Sequence, residues 1–373
     1  MYKDYYHYSV GNKKTLDKLE AIIWASEKNE WIHFHIPEWL QNVPTHIEPE
    51  QSFETLCIER AKRLRLDFNY IRLWFSGGID STYMLDTFVD NNILIDEIMI
   101  MKSGVPNADW EIDKVALPYI EKIQSKIKST KITVNTPTIN DYKDWYKNEY
   151  WFENYKKIGH LSKRFMGLRL NEKLESINLY KEHSKTANIL GFDKPFINYV
   201  NGEWFTFFLD ANINYQIESK DNKYIGFYND DPLIFVKQCH MLKRGIETFV
   251  RNKNDYNKVC DYDPKYQNVW NSSIDRTKNN SIFIIKDLSA VDSQYQGLNY
   301  KESLGHKWMH QNFPALYKNY LKGIQNLNHI QNGKWFNKNN AQLGPIGIFA
   351  DFKSLDRKST KTVDELFPNG YKV

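Results

Sequence analysis

The stretch IRLWFSGGIDSTYML, residues 71–85, constrains the fold more than any other part of the chain. Ile71, Leu73 and Phe75 alternate with Arg72 and Trp74, which is the period of a strand. Past Ser76-Gly77-Gly78-Ile79-Asp80-Ser81-Thr82, the apolar residues Met84, Leu85, Phe88 and Val89 recur at helical spacing. ILIDEIMIM (93–101) reads as a second strand and KITVN (131–135) as a third. Between them, residues 107–129 carry Ile112, Val115, Ala116, Tyr119, Ile120, Ile123 and Ile127 in helical register, with a kink expected at Pro118. Strand, helix, strand, helix, strand at these lengths builds a parallel sheet.

The glycine pair has a chemical meaning. After a strand it lets backbone amides approach a ligand with no Cβ in the way. A helix that begins there aims its free N–H groups and the positive end of its dipole at that ligand. Ser76, Ser81 and Thr82 add hydroxyl donors. The result is a cradle for an anion, most simply phosphate. Asp80 fits beside phosphate only with a cation between them, which points to Mg²⁺. The spacing is neither that of a Walker A loop nor that of a dinucleotide fingerprint.

Ser76-Gly77-Gly78-Ile79-Asp80-Ser81 resembles the PP-loop, S-G-G-x-D-S, of the N-type ATP pyrophosphatase superfamily. The likeness covers roughly residues 50–210. It implies an adenine nucleotide alpha hydrolase-like, Rossmann-like α/β fold, with a parallel sheet flanked by helices, and ATP and Mg²⁺ as cofactors. It also implies cleavage of ATP between the α and β phosphates, with AMP passed to a carbonyl oxygen and pyrophosphate released. By this resemblance Ser76, Gly77, Gly78, Ile79, Asp80, Ser81 and Thr82 hold pyrophosphate and metal. Met101, at the end of the second strand, meets the adenine. ANILGFD (187–193) reads as a fourth strand, and GFDKP (191–195) follows it. Asparagine synthetase has a Gly/Asp-rich loop in the corresponding place. Gly191 is accordingly a nucleotide-binding candidate, Asp193 a metal candidate, and Lys194, with Asp80, a catalytic candidate that steadies the α-phosphate. GFDKP and DPLIFVKQCHMLK are loosely similar to phage-encoded relatives of asparagine synthetase.

Around this core the chain divides into three regions. Residues 1–50 form an N-terminal extension with a short helix in TLDKLEAIIWASEKN and a strand or irregular segment in EWIHFHIPEWL. Residues 51–210 form the ATP-binding domain. It opens with a helix capped near Ser52 that buries Phe53, Leu56, Cys57 and Ala61. It carries a helical insert at 141–186. FINYVNGEWFTFFLD then turns at Asn201-Gly202 as a β-hairpin. Residues 211–373 form a mixed substrate or partner region with a second hairpin at 213–228, a helix in PLIFVKQCHMLKRGIETFVRN and another at 313–327.

Composition excludes several classes. A net charge of +4 in 373 residues does not call for nucleic acid, and does not exclude it. No apolar run approaches a bilayer span, and the first residues carry no apolar signal segment, so a cytoplasmic protein is expected. The three cysteines, Cys57, Cys239 and Cys260, form neither a CxxC pair nor a disulfide framework. Position 2 is tyrosine rather than a glutaminase cysteine, so ammonia would arrive free or from a donor protein.

The favoured activity is adenylation of a carboxylate or carbonyl of a small molecule or nucleobase, for attack by a nitrogen nucleophile. The alternatives are thiolation of a tRNA or nucleobase through Cys239 or Cys260, and a nucleotide-binding protein without turnover. Other constellations read more simply as structure. His306 and His310 lack the glutamate of a zinc-binding HExxH helix. His33 and His35 share a strand face without an evident third ligand. Lys163, Arg164 and Arg169 suit a solvated face, and the aromatic run 145–155 suits helix packing.

Overall fold

The computed structural model describes residues 6–151, 185–191, 195–208, 222–256, 305, 307–331 and 352–366. In the first 50 residues, β1 (His7–Val10), β2 (Lys13–Thr15) and β3 (His33–His35) form an antiparallel sheet in the order β2-β1-β3. Alternation sends Tyr8, Val10 and Phe34 into the main core, where Ala21, Ile22 and Ala25 of α1 (Lys18–Lys28) join them. Ile23, the residue after Ile22 in the same helix, stays 42% exposed. His7, Ser9, His33 and His35 line the other face of the β1–β3 pair.

A short turn of helix, α2 (Glu38–Gln41), leads to α3 (Phe53–Asp67). The Ser52 hydroxyl caps α3 by accepting from the Thr55 amide at 3.0 Å. Its buried stripe is Phe53, Leu56, Cys57, Ala61 and Leu64. The central sheet then begins with β4 (Tyr70–Trp74), followed by α4 (Ile79–Asp90) and β5 (Glu97–Met101).

The long helix expected before the third strand is broken. Residues Ile112–Ala116 form a π turn, in which the Leu117 amide reaches back five residues to the Ile112 carbonyl. A regular helix, α5, resumes over Leu117–Ile123. Pro118 falls in its first turn, where a missing N–H is tolerated. Because Pro118 offers no donor to the turn before it, the distortion lies upstream of the proline rather than as a kink at it.

β6 (Lys131–Asn135), α6 (Ile139–Trp145) and β7 (Thr186–Leu190) follow. The hairpin β8 (Phe196–Val200) and β9 (Glu203–Phe207) turns at Asn201 and Gly202, with φ of 53° and 85°. Positive φ at both central residues matches the right-handed twist of the flanking strands.

β10 (Asn222–Gly226) corrects the sequence reading. It is a parallel strand paired with β7, and the other arm of the expected hairpin lies outside the described residues. The central sheet is therefore five-stranded and parallel, in the order β10-β7-β4-β5-β6. The long amphipathic α7 (Pro232–Phe249) and α8 (Pro314–Gln331) follow, then β11 (Phe352–Ser354), β12 (Thr360–Lys361) and a final turn of helix, α9 (Val363–Leu366). β11 and β12 extend the hairpin into a second antiparallel sheet, β12-β11-β9-β8. The molecule is an α/β protein with a parallel sheet flanked by helices.

β4, β5 and β7 are buried along most of their length, whereas β6, an edge strand, is largely exposed. One sheet face is apolar: Ile71, Leu73, Ile98, Ile100, Ala187 and Ile189 share a core with residues of α3, α4, α5 and α7. The opposite face carries Arg72, Glu97 and Asn188 in register, then Trp74, Met99, Met101 and Leu190 toward the carboxyl ends. Among the described residues, no helix is long and apolar enough to cross a membrane.

Candidate functional site

From β4 the chain proceeds outward to β5 and β6, and then returns to the other side of β4 for β7 and β10. The strand order thus reverses between β4 and β7. Open α/β sheets bind ligands at such a point, in the crevice beyond the carboxyl ends of the strands. Ser76–Ser81 follows β4 and Gly191 follows β7, so both stand at that crevice.

The loop is built by its own side chains. The Ser76 amide donates to Ser81 Oγ at 3.3 Å, and the Ser76 and Ser81 hydroxyls lie 3.1 Å apart. Ser81 Oγ donates to the Gly78 carbonyl at 3.0 Å, and Thr82 Oγ1 to the Gly77 carbonyl at 3.4 Å. Ser81 and Thr82 are buried, at 4% and 1% exposure. Their hydroxyls hold the loop closed from inside, whereas Ser76 is exposed and Gly78, Ile79 and Asp80 are half-buried.

Gly77 has φ +81°, and a Cβ on it would stand 3.0 Å from the Ala116 amide nitrogen in the π turn. Only glycine fits there without strain. Gly78 is the N-cap of α4, and no side chain caps that terminus. The Gly78 amide donates to Ser76 Oγ at 3.3 Å, and the first turn lies at the positive end of the helix dipole. That arrangement fits an anion such as the polyphosphate of ATP, and Asp80 in the first turn fits an accompanying Mg²⁺.

Two further strand ends support the loop from behind. A Cβ on Gly191 would lie 3.0 Å from Ser81 Cα and 3.1 Å from the Asp80 carbonyl oxygen. From beyond β10, the Tyr228 hydroxyl donates to that same carbonyl at 2.7 Å. Met101 ends β5, packed with Trp74, Met99 and Leu190. The next residue, Lys102, pairs with Asp113 of the π turn at 2.5 Å. Asp109 accepts from the Ser103 and Gly104 amides at 2.6 and 3.1 Å, which fixes the segment beyond β5.

The structure thus brings Ser76, Gly77, Gly78, Ile79, Asp80, Ser81, Thr82 and Gly191 together at one sheet edge. Asp193, Lys194, His306, Cys260 and the 163–169 cluster lie outside the described residues. Sequence reasoning missed Tyr228 and Glu111. A Cβ on Gly78 would lie 3.9 Å from the Glu111 carboxylate. The only sequence signal for Glu111 is its place near the start of the helix after β5.

Cys57 and Cys239 are both free thiols and fully buried. Burial pushes the Cys239 thiol up to about 12. Among the described residues, no three His, Cys, Asp or Glu side chains are grouped to hold a metal ion.

No family model matches the chain, and no curated protein does. Among solved structures, one that resembles it is the U34-tRNA thiolase NcsA from Methanococcus maripaludis, determined with its 4Fe-4S cluster. The identity is 10% and the TM-score 0.26, over 75% of this chain and 79% of that one. A likeness of that size leaves the functional reading to the residues themselves.

Proposed function

We propose that the chain is an ATP-dependent enzyme that cleaves between the α and β phosphates and adenylates a carbonyl or carboxylate oxygen. The observation that carries this reading is the N-terminus of α4, opening on Gly77 and Gly78 at the point where the strand order reverses. Ser76, the amides of the first turn and Asp80 bind and orient the leaving pyrophosphate with its Mg²⁺. Bound Mg²⁺ supplies positive charge where negative charge builds as pyrophosphate departs. Met101 and its neighbours offer an apolar wall for the adenine. Lys194 is the proposed partner of the α-phosphate and Asp193 a second metal ligand. Catalysis of this kind rests on position and charge.

The acceptor is a small molecule or nucleobase, attacked by a nitrogen nucleophile, with ammonia free or from a donor protein. The second reading, sulfur transfer to a tRNA or nucleobase, is the activity that the solved neighbour's title names for that protein. If sulfur is the nucleophile here, Cys57 and Cys239 are poorly placed to carry it, because both are fully buried and burial pushes the Cys239 thiol up.

The test is product analysis with ATP labelled at the α-phosphate, in the presence of Mg²⁺ and either ammonia or sulfide, with and without tRNA. AMP and pyrophosphate are expected. ADP and phosphate as products would overturn the reading. Dependence on tRNA and sulfide together selects the second reading over the first.

A further inference from the structure

The Asp80 carbonyl is approached from two other strand ends, and neither approach is needed to complete α4. A carbonyl in the first turn of a helix already serves the amide four residues on. Tyr228 nevertheless donates its hydroxyl to Asp80 across 148 residues of sequence. It is held firmly to do so. The ring is fully buried, stacked on Phe53 at 6.1 Å and met edge-on by Phe227 at 5.0 Å.

The turn that carries Tyr228 is equally tied down. The Phe227 amide donates to the Leu190 carbonyl at 2.9 Å, and the Gly226 amide to the Asp230 carboxylate at 2.6 Å. Asp231, the next residue, caps α7 by accepting from the Leu233 and Ile234 amides, each at 3.1 Å. From the side of β7, Gly191 lies against the same carbonyl with no room for a Cβ.

We propose that Tyr228 is a positioning residue for the nucleotide loop. Its hydroxyl fixes the first turn of α4, so that the Asp80 carboxylate keeps one orientation toward the crevice. This inference rests on the proposed nucleotide-binding role of the loop. It adds that the loop is aligned by the turn after β10, a part of the chain remote from it in sequence.

The experiment compares Tyr228→Phe with Tyr119→Phe. The first removes only the clamping hydroxyl. The second removes another part-buried tyrosine hydroxyl, donated to Asp86 farther along the same helix. Amide hydrogen exchange is measured in the free protein, and Mg·ATP affinity by calorimetry. Tyr228→Phe should speed exchange of the amides of residues 82–84 by about tenfold, the worth of one hydrogen bond, whereas Tyr119→Phe should leave them unchanged. Tyr228→Phe should also weaken Mg·ATP about tenfold while affinity for metal-free ATP moves less than about twofold. Gly191→Ala, which presses on the same carbonyl, should reproduce both effects, and it keeps the test available if Tyr228→Phe does not fold.

Equal exchange in the two tyrosine variants, with similar losses of thermal stability, would show Tyr228 to be ordinary packing and overturn the inference. Faster exchange with unchanged Mg·ATP binding would overturn its functional half. If the wild-type protein binds no Mg·ATP at all, the proposed function fails instead, and the exchange comparison alone decides whether Tyr228 holds the loop.

Discussion

Arg72 and Glu97 stand side by side on adjacent parallel strands, and Arg72 Nε donates to Glu97 Oε2 at 2.7 Å with 3% and 0% of the two side chains exposed. The pair lies within a network. Asn188 accepts from Arg72 at 3.3 Å, while Thr133 and Tyr70 donate to Glu97 at 2.5 and 3.1 Å. Burial alone would push the Glu97 carboxyl up, but the hydrogen bonds from Thr133 and Arg72 and the Arg72 charge outweigh it and hold it below the usual range. Removing one partner of such a pair leaves a charge uncompensated. Arg72→Met should cost about 3–5 kcal/mol in urea unfolding, and the double variant Arg72→Met with Glu97→Leu should recover most of that loss. A single variant of wild-type stability would show that the pair contributes nothing. Since the folded value is depressed, the contribution is present above about pH 4.5 and fades as pH falls through the folded value.

His35 governs a different pH range. Burial first, then the neighbouring His7, His33 and Lys14, lower it from 6.5 to about 4. All three of those neighbours work against its protonation. The unfolded chain therefore binds a proton that the folded chain refuses. Stability from this site is complete above pH 6.5 and is lost as pH falls toward 4. The melting temperature should decline across that window, and His35→Phe should flatten the decline. An unchanged slope in that variant would assign it to other groups.

Asp80 is half-buried in the first turn of α4, whereas Arg72 is buried within the sheet. Asp80→Ala should slow pyrophosphate release by about a hundredfold or more while leaving the melting temperature within a few degrees. A large fall in melting temperature with full activity per folded molecule would make the residue structural.

Gly191→Ala places a methyl against backbone atoms at 3.0–3.1 Å. The loop must then shift by a few tenths of an ångström, at a cost of about 1–2 kcal/mol. Activity should fall further than stability, because the atoms displaced belong to Asp80 and Ser81. Equal affinity for Mg·ATP in the variant would show that the close approach is incidental.

The cysteines give a labelling prediction. Cys57 and Cys239 are both buried, and the Cys239 thiol donates to Thr206 Oγ1 at 3.4 Å. A thiol reagent should find neither in the native chain and all three cysteines after denaturation. Cys239→Ala should keep pyrophosphate release within about twofold of wild type. Loss of turnover without loss of fold would restore the residue as a sulfur carrier.

Much of the central fold could be read locally. β4 to β6 and α4 announce themselves because alternation, glycine and helical spacing succeed one another within a few residues. Ser52 and Asn201-Gly202 were legible for the same reason: a cap and a turn are local chemistry. Arg72 was harder to place. Alternation set it opposite Ile71 and Leu73, but only the parallel sheet, covered on both faces, and Glu97 beside it explain its burial. β10 could not be recognised from its own residues, since its partner is β7. Tyr228 was invisible for the same cause: its acceptor lies far away in sequence, and nothing nearby marks a tyrosine as a clamp. Pro118 located the break in the helix to within a turn, but the form of the break came from the packing of Ala116 against Gly77.

That break ties two contacts together. The π turn at residues 112–116 holds one residue more than a regular helix would need between the same two ends. Deleting one of them would restore a regular helix and swing its two halves by about 100° relative to each other. Tyr119 would then leave Asp86, or Ala116 would leave Gly77; both contacts could not survive together. The surplus residue therefore sets the register between the contact behind Gly77 and the contact that Tyr119 makes with Asp86.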